Sequence, residues 1–209
     1  MYKKKNFKQE FNKNKYQYIF LMILSITGIV SGILFANILS YSDYQLVKES
    51  LKDYFFNIKN NTEINYFKNF LNAFSINYIY MFAIWILGLS IIGVLLSVFL
   101  LFFKNFILGF SIASIISIYE FKGIIGVILY LFPHQVLNII IYILLTYYAI
   151  NTSIKLFKAL FMKKVFNWGE IIRKYMKILA ISSISLLISS LYETFLGNFA
   201  MKLFTFLLK

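Results

Sequence analysis

Cysteine is absent from this sequence of 209 residues, and proline and histidine occur only once each. Without cysteine, the chain can form neither a disulfide bond nor a thiolate metal site. A hydrolytic zinc site needs several nitrogen or carboxylate ligands, and one histidine with no acid nearby in the sequence argues against it. No phosphate loop or dinucleotide-binding fingerprint occurs. We therefore expect no enzymatic activity, no catalytic residue, no bound metal and no cofactor.

Charged residues are also scarce, at 14% of the chain, whereas hydrophobic residues make up 60%. A soluble domain has about 25% charged residues and about half apolar residues. Three of the uncharged runs are long enough to cross a hydrocarbon core about 30 Å thick. The uncharged runs are 16–42, 69–103, 105–119, 123–154 and 178–192. They predict a multi-pass protein of the cell membrane.

The predicted fold is an all-α integral membrane protein, a single domain with five transmembrane helices. We assign the spans to residues 16–40, 76–103, 105–119, 123–151 and 178–197. The third span is short, because it rises only about 22 Å at 1.5 Å per residue. Lys104 and Glu120 bound it, and both can extend their charges toward the interfaces. This segment is either a short span or part of a re-entrant hairpin.

The basic residues are concentrated in two segments next to spans. Residues 1–15 contain six and residues 152–177 contain seven of the 21 lysines and arginines. The positive-inside rule makes these segments a cytoplasmic tail and a cytoplasmic loop, and it places the C-terminus outside. Lys104 falls on the cytoplasmic side in this arrangement. Because the charges border membrane segments, the net charge of +13 predicts contact with anionic membrane lipids and no nucleic-acid partner.

The segment after the first span, residues 41–75, is predicted to be an external loop, since its acidic and basic residues balance. Ser42 and Gln45 resemble a capping box, and apolar residues then recur at helical spacing. These are Val47, Leu51, Tyr54, Phe55 and Ile58. We predict an amphipathic helix over residues 43–58 on the outer surface. It either rests on lipid or forms a docking surface for a partner.

Small residues recur every four positions in two of the spans. The first span contains Gly28, Gly32 and Ala36, and the third contains Gly109, Ala113 and Ser117. In lipid, helices associate mainly by close packing, and small residues permit it. The spacing therefore predicts packing seams, either within one bundle or in a homo-oligomer.

The stretch LYLFPHQVLN, residues 129–138, places the single proline and the single histidine side by side in the fourth span. Pro133 removes a backbone donor and is expected to kink the helix. His134 and Gln135 are placed to form hydrogen bonds around that break. His134 would lie about 16 Å from the start of the span, near the middle of the membrane. The pair is either a functional polar site or a satisfied structural kink.

The last span carries a polar stripe that we expect to face the interior of the bundle. The stripe consists of Ser182, Ser185, Ser189, Glu193 and Gly197. Facing lipid, it would leave a carboxyl group and hydroxyls without partners. Glu193 either belongs to an internal site or lies near the outer headgroups. A small-solute or ion transporter with a site around Pro133, His134 and Glu193 is therefore an alternative function, although no internal repeat supports it.

Four short segments stand out by their order and spacing, namely WILGLSIIG (85–93), FKNFILGF (103–110), FKGIIGVILYLFPHQVLNIIIY (121–142) and LYETF (191–195). Together they resemble the stage II sporulation protein M family over residues 16–197. By this resemblance, Gly88, Gly93 and Gly109 match small packing positions. Pro133 with His134 matches the family's proline-histidine element, and Glu193 matches its acid in the last span.

The resemblance implies a non-enzymatic scaffold of the engulfment machinery. Such a protein would lie in the septal and engulfing mother-cell membrane and position two peptidoglycan-degrading partners, stage II sporulation proteins D and P. The sequence departs from the family pattern after His134, where Gln135 and Asn138 replace a glycine and a glutamate. This departure argues against a proton relay or ion site, because the second ionisable group is missing from that stretch.

Overall fold

The computed structural model describes residues 14–60, 65–163 and 165–207, without the side chains of residues 57–60, 198, 201, 205 and 207. Nearly all of the predicted cytoplasmic tail, residues 1–13, lies outside the described residues. The described residues contain no strand, and they form seven α-helices and two π-helical segments. These are α1 (Lys15–Asn37), α2 (Tyr41–Asn60), α3 (Tyr66–Leu87), α4 (Gly93–Gly126), π1 (Val127–Leu131), α5 (Phe132–Phe161), α6 (Trp168–Tyr192), π2 (Glu193–Gly197) and α7 (Asn198–Leu207).

Four helical stretches in the described part of the chain are long and apolar enough to cross a membrane. They are Lys15–Asn37, Tyr66–Leu87, Gly93–Phe161 and Trp168–Phe204. Helices suit this environment because each one satisfies its backbone hydrogen bonds internally, which lipid cannot do for an irregular chain. The prediction of an all-helical membrane protein is confirmed.

The stretch Gly93–Phe161 reverses direction at Glu120. The backbone of Glu120 has φ 49° and ψ −128°, in the left-handed region that a residue with a side chain rarely adopts. Lys104 Nζ lies 6.0 Å from the ring centroid of Tyr142. In one straight helix these residues, 38 positions apart, would be separated by about 57 Å. The stretch is therefore a hairpin with one arm before Glu120 and one after it.

The helices alternate in direction along the chain. Tyr80 of α3 donates to the carbonyl of Leu100 in α4 at 2.5 Å, within an antiparallel pair. Tyr175 of α6 donates to the carbonyl of Trp85 in α3 at 2.6 Å, in a second antiparallel pair. Since α1, α3, the two hairpin arms and α6 alternate, the start of α1 and the end of α6 lie at opposite ends of the bundle.

The two ends of the bundle differ in their residues. The turn after α3 and the loop after α5 share one end, where Ser153 donates to the carbonyl of Ser90 at 2.9 Å. We name this the basic end, because the described basic residues of segment 152–177 lie around it. At the other end, Phe55 of α2, Tyr119 and Phe204 of α7 form an edge-to-face aromatic cluster with centroids 5.1–5.7 Å apart. We name this the aromatic end.

Glycines form the seam between α1 and the first hairpin arm. A Cβ atom on Gly28 would lie 2.7 Å from the carbonyl oxygen of Phe102, and one on Gly32 would overlap the backbone of Phe106. A Cβ on Gly109 would overlap the carbonyl of Ile29. These glycines therefore permit backbone contact within one chain. Of the other predicted packing glycines, Gly88 lies against Ala149 of α5, and Gly93 lies against Leu87 in the turn after α3.

The predicted boundary between the second and third spans, at Lys104, is wrong. The chain turns at residues 88–92 instead, and Lys104 lies inside α4, which begins at Gly93. A lysine in a hydrophobic run resembles a boundary in the sequence, but here the protein interior provides its partners. The helix α3 begins at Tyr66, ten residues before the predicted span at residue 76.

The predicted loop over residues 152–177 is shorter than expected. The helix α5 continues to Phe161, and α6 begins at Trp168, where the side chain of Asn167 accepts from the backbone N–H of Glu170 at 3.3 Å. Charged residues mark where the chain leaves lipid, not where a helix ends. The predicted helix over residues 43–58 is confirmed as α2, although its cap is Ser40, whose hydroxyl accepts from the N–H of Asp43, and not Ser42.

Candidate functional site

The segment π1 ends at Leu131, two residues before Pro133. In a regular α-helix, the ring of Pro133 would clash with the carbonyl group four residues earlier. In π1 the backbone bonds span five residues, as in the bond from the N–H of Phe132 to the carbonyl of Val127. The wider turn accommodates the proline without ending the helix, and α5 continues to Phe161. The distortion lies where the sequence places it, in the form of a π-helical turn.

His134 is buried inside the bundle, with 1% of its surface exposed. Its Nδ1 lies 2.8 Å from the carbonyl oxygen of Tyr130, and its ring lies 5.5 Å from the Tyr130 ring. A carbonyl oxygen can only accept, so Nδ1 carries the hydrogen and donates it. The same bond provides a partner for a carbonyl next to the proline break. Nε2 is left to face away from its own helix.

Glu193 approaches His134 from the other side of the bundle. It is the first residue of π2, and its Oε2 lies 3.9 Å from His134 Nε2. Its side chain is 22% exposed, whereas that of His134 is 1% exposed. The two sequence-predicted candidates, 59 positions apart, are thus brought together by the packing of α6 against α5.

The two π-helical segments contact each other at this point. A Cβ atom on Gly197 of π2 would lie 3.1 Å from the ring of Tyr130 in π1. The Tyr130 side chain also interacts with that of Tyr54 in α2. Isolated π-helical turns within α-helices frequently occur at functional sites, because they redirect side chains. Here both turns direct side chains into the same polar cluster.

Lys104 is the functional candidate that the sequence interpretation missed. Its Nζ donates to the side-chain oxygen of Asn77 at 3.3 Å and lies 5.1 Å from the ring centroid of Tyr80. The Tyr142 hydroxyl donates to the same Asn77 oxygen at 3.2 Å. The charge of Lys104 is close enough to interact with those of His134 and Glu193. A lysine at this depth is costly unless it is paired, so its position inside an apolar run was the available indication.

Further polar groups continue the cluster along α5. Asn138 and Tyr142 follow His134 at four-residue intervals and share its helix face. Asn138 is fully buried, and neither its amide nitrogen nor its amide oxygen has a hydrogen-bond partner among the described residues. Ser189 of α6 donates to the backbone carbonyl of His134 at 3.3 Å. The cluster therefore holds unused hydrogen-bonding capacity in the centre of the bundle.

The remaining predicted site residues lie as follows. Ser182 and Ser189 are buried and Gly197 faces Tyr130, as expected for an inward stripe, whereas Ser185 donates to a carbonyl of its own helix. Gln135 is half-buried and is not part of the contacts between His134 and Glu193. No group of three or more histidine, cysteine, aspartate or glutamate side chains among the described residues is arranged to hold a metal ion.

Comparison with known proteins adds a family to this geometry. The family model described as stage II sporulation protein M matches residues 20–198. The chain belongs to this family. The match extends from α1 to π2 and thus includes Lys104, His134 and Glu193. No curated protein and no solved structure matches the chain.

Membership in the stage II sporulation protein M family agrees with the resemblance inferred from the sequence. Together with the four long apolar helices, it identifies a sporulation membrane protein. In this family member, the second ionisable partner of His134 comes from π2. The departure from the family pattern at Gln135 and Asn138 therefore does not leave His134 without an acidic neighbour.

Proposed function

We propose that this protein is a non-enzymatic membrane scaffold of the sporulation engulfment machinery. In this role it positions peptidoglycan-degrading partners, stage II sporulation proteins D and P, at the septal and engulfing mother-cell membrane. The observation that carries the proposal is the family match, which spans residues 20–198 and so includes every long apolar helix of the bundle.

The scaffold is proposed to cross the membrane five times, with its basic end in the cytoplasm. The arm of residues 93–119 is about 40 Å long and the arm of residues 121–161 about 60 Å, so each is long enough to cross. The alternating directions of the helices support an odd number of crossings. The basic residues at one end support the orientation by the positive-inside rule.

The partner-docking surface of the scaffold is proposed to include α2. One side of this helix packs through Phe55 into the aromatic cluster, yet Leu46 and Phe56 are each 63% exposed. With the basic end in the cytoplasm, α2 lies outside, where wall-degrading partners act. Resting on lipid is the alternative for the same exposed apolar side chains.

The scaffold proposal is tested by co-purification and microscopy in a sporulating strain. We expect a tagged full-length chain to recover a wall hydrolase from sporulating membranes, and a deletion strain to arrest during septal-wall thinning. Leu46→Ser with Phe56→Ser should reduce recovery of the partner. Leu160→Ser with Phe161→Ser, equally exposed residues at the basic end, provides the matched control. Recovery of no hydrolase would count decisively against a scaffold.

A transporter of a small solute or ion is the second candidate function. The observation that favours it is the meeting of His134, Glu193 and the charge of Lys104 inside the bundle. Purified chain in liposomes would then move protons or another small ion. If His134→Leu and Glu193→Leu strains complete engulfment normally, transport through this site has no part in the process.

A further inference from the structure

The polar cluster between α5 and π2 has a gap that the protein's own atoms do not close. His134 Nε2 and Glu193 Oε2 are 3.9 Å apart. Hydrogen bonds between nitrogen and oxygen are usually 2.7–3.2 Å long, so the two atoms are not directly bonded. The two atoms are nevertheless too close to have a bulk water molecule between them, and His134 is deeply buried. Whether Nε2 and Oε2 attract or repel each other depends on which of them carries a hydrogen.

The bond from His134 to the carbonyl of Tyr130 determines the hydrogen on the imidazole. Because Nδ1 donates to that carbonyl, a neutral His134 presents a lone pair at Nε2. A lone pair opposite an ionised Glu193 carboxylate is repulsive. One added proton removes the repulsion, whether it resides on Nε2 as an imidazolium or on Oε2 as a carboxylic acid. Both occupied states have the same total charge, and either one contains a donor that faces an acceptor.

Asn138 provides the second, independent observation. It lies one helical turn after His134 on the same face, is fully buried, and has both amide atoms unpartnered among the described residues. The hydroxyl of Ser190 in α6 is likewise buried and unpartnered. Buried water commonly occupies such places, because it forms two to four hydrogen bonds with polar groups that lack other partners. An ordered water next to Asn138 would satisfy donors and acceptors that the chain leaves open.

The charged and titratable groups around the pair favour a proton over a metal ion. Glu193 interacts electrostatically with Lys104 of α4, Tyr130 of π1, Tyr142 of α5 and Tyr54 of α2. Lys104 contributes positive charge, which opposes the binding of a metal cation in the same cluster. The proton-free pair carries one negative charge, which Lys104 stabilises, while the occupied pair is neutral. Lys104 therefore makes release of the proton feasible.

We propose that His134 and Glu193 form a binding site for one exchangeable proton, shared between Nε2 and Oε2, with a bound water at Asn138. Occupation forms one N–H or O–H bond and takes the proton from a hydronium ion, which leaves as water. Nothing is oxidised or reduced. The partly exposed carboxyl group of Glu193 is the group through which the proton enters. This site goes beyond the scaffold role, and it names the ligand of the site on which the transporter candidate rests.

The single histidine makes the site directly observable. Full-length chain with ¹⁵N-labelled histidine and a histidine-free tag, in lipid nanodiscs, has one imidazole to detect by nuclear magnetic resonance. We expect Nδ1 to remain protonated throughout and Nε2 to change with pH. Glu193→Gln should move the midpoint of that change by about one pH unit or more, roughly a tenfold change in proton affinity. Lys104→Met should shift proton release to higher pH, because the proton-free state loses its stabilising charge.

Glu170→Gln is the matched control, since Glu170 is an exposed carboxylate at the basic end, paired with Lys174 at 2.8 Å. It should leave the His134 midpoint unchanged. A cross-peak between His134 Nε2 and water, present in the natural chain and lost in Asn138→Leu, would identify the bound water. If Glu193→Gln folds like the natural chain and behaves like Glu170→Gln, or if Nδ1 lacks a hydrogen, the inference is wrong.

The outcomes for this site and for transport are distinguishable. Coupling of His134 to Glu193 without proton flux in liposomes would retain the site and exclude the transporter. Flux without that coupling would retain a transporter and exclude this site. Neither result depends on whether the protein positions wall-degrading partners.

Discussion

At the scale of single residues, the ionisable side chains in apolar helices carry most of the information about this molecule. An isolated charge in hydrocarbon is costly, so such residues are expected to find partners inside the protein. Lys104 contacts Asn77 and lies near the rings of Tyr80 and Tyr142, while Glu193 lies beside His134. These four contacts replace the hydration that the side chains would have in water.

The first residue-scale prediction concerns the charges of Lys104 and Glu193. We expect Lys104→Gln and Glu193→Gln each to destabilise the bundle by about 1–3 kcal/mol, because each leaves a charge without its counterpart. The double variant should be less destabilised than the sum of the two, since it removes both charges. Equilibrium unfolding in mixed micelles measures this coupling. The exposed pair Glu170 and Lys174 should show a coupling of about 0–1 kcal/mol in the same cycle.

The second residue-scale prediction concerns the helix seam. Gly109→Ala should cost about 1–3 kcal/mol of stability, because the added methyl group would overlap the carbonyl of Ile29 and force α1 away from α4. Gly169→Ala, at the exposed start of α6, should be neutral or stabilising, since a Cβ there would make only an ordinary contact with Asn167. Thermal unfolding in detergent compares the two. Equal losses would contradict the assigned seam.

At the scale of helical elements, the sequence and the structure disagree mainly on boundaries. The hairpin α3–α4 turns at residues 88–92, within an uncharged run, because Gly88 and Gly93 permit close contact there. Hydropathy places boundaries at charges, and thus at Lys104. From hydropathy alone, a charge inside a helix cannot be distinguished from a charge at a helix end, and a turn inside an apolar run gives no signal. The neighbouring helices have to be known first.

The element-scale prediction concerns π1. Replacing Pro133 with alanine restores a backbone donor and removes the ring clash, so we expect π1 to convert to a regular α-helical turn. The backbone N–H groups then compete with His134 for the carbonyl of Tyr130. The ¹⁵N signal of His134 Nδ1 should therefore shift, while the helical circular dichroism remains constant. An unchanged Nδ1 signal would show that π1 does not depend on the proline.

At the scale of the whole molecule, five alternating helices place the two ends of the bundle in different chemical environments. The basic end carries the described lysines and the arginine of segment 152–177, whereas the aromatic end is formed by α2, α7 and the reversal at Glu120. Such a difference between the ends is what an asymmetric membrane environment requires. It also separates the proposed partner surface from the proposed cytoplasmic lipid contacts.

The whole-molecule prediction is the orientation in the membrane. The chain has no cysteine, so one introduced cysteine is a unique label site. In intact cells, a membrane-impermeant maleimide should modify Ser42→Cys at the start of α2. It should modify Lys163→Cys only after the membrane is permeabilised. Both side chains are exposed, so accessibility is matched. Labelling of both cysteines from the same side would contradict an odd number of crossings.

Much of the fold was predictable from the sequence because helices in lipid are determined locally. The helical class, the helix α2 and the inward-facing serines follow from hydropathy and spacing within each segment. The short distance between His134 and Glu193 could not be predicted, since the two residues are 59 positions apart and belong to different helices. Lys104 was misinterpreted for the same reason, because its partners Asn77 and Tyr142 lie on other helices.

The amino-acid sequence is enough to indicate a membrane protein, because its long uncharged apolar runs leave no polar surface for water. It also locates the distortion at the proline, since a missing N–H is a property of one residue. Which polar side chains share the interior follows only from the packing, because that depends on which helices are neighbours and how far apart their backbones are. The distance of 3.9 Å between His134 and Glu193, and the amide of Asn138 that has no partner among the described residues, exist only in the packed bundle.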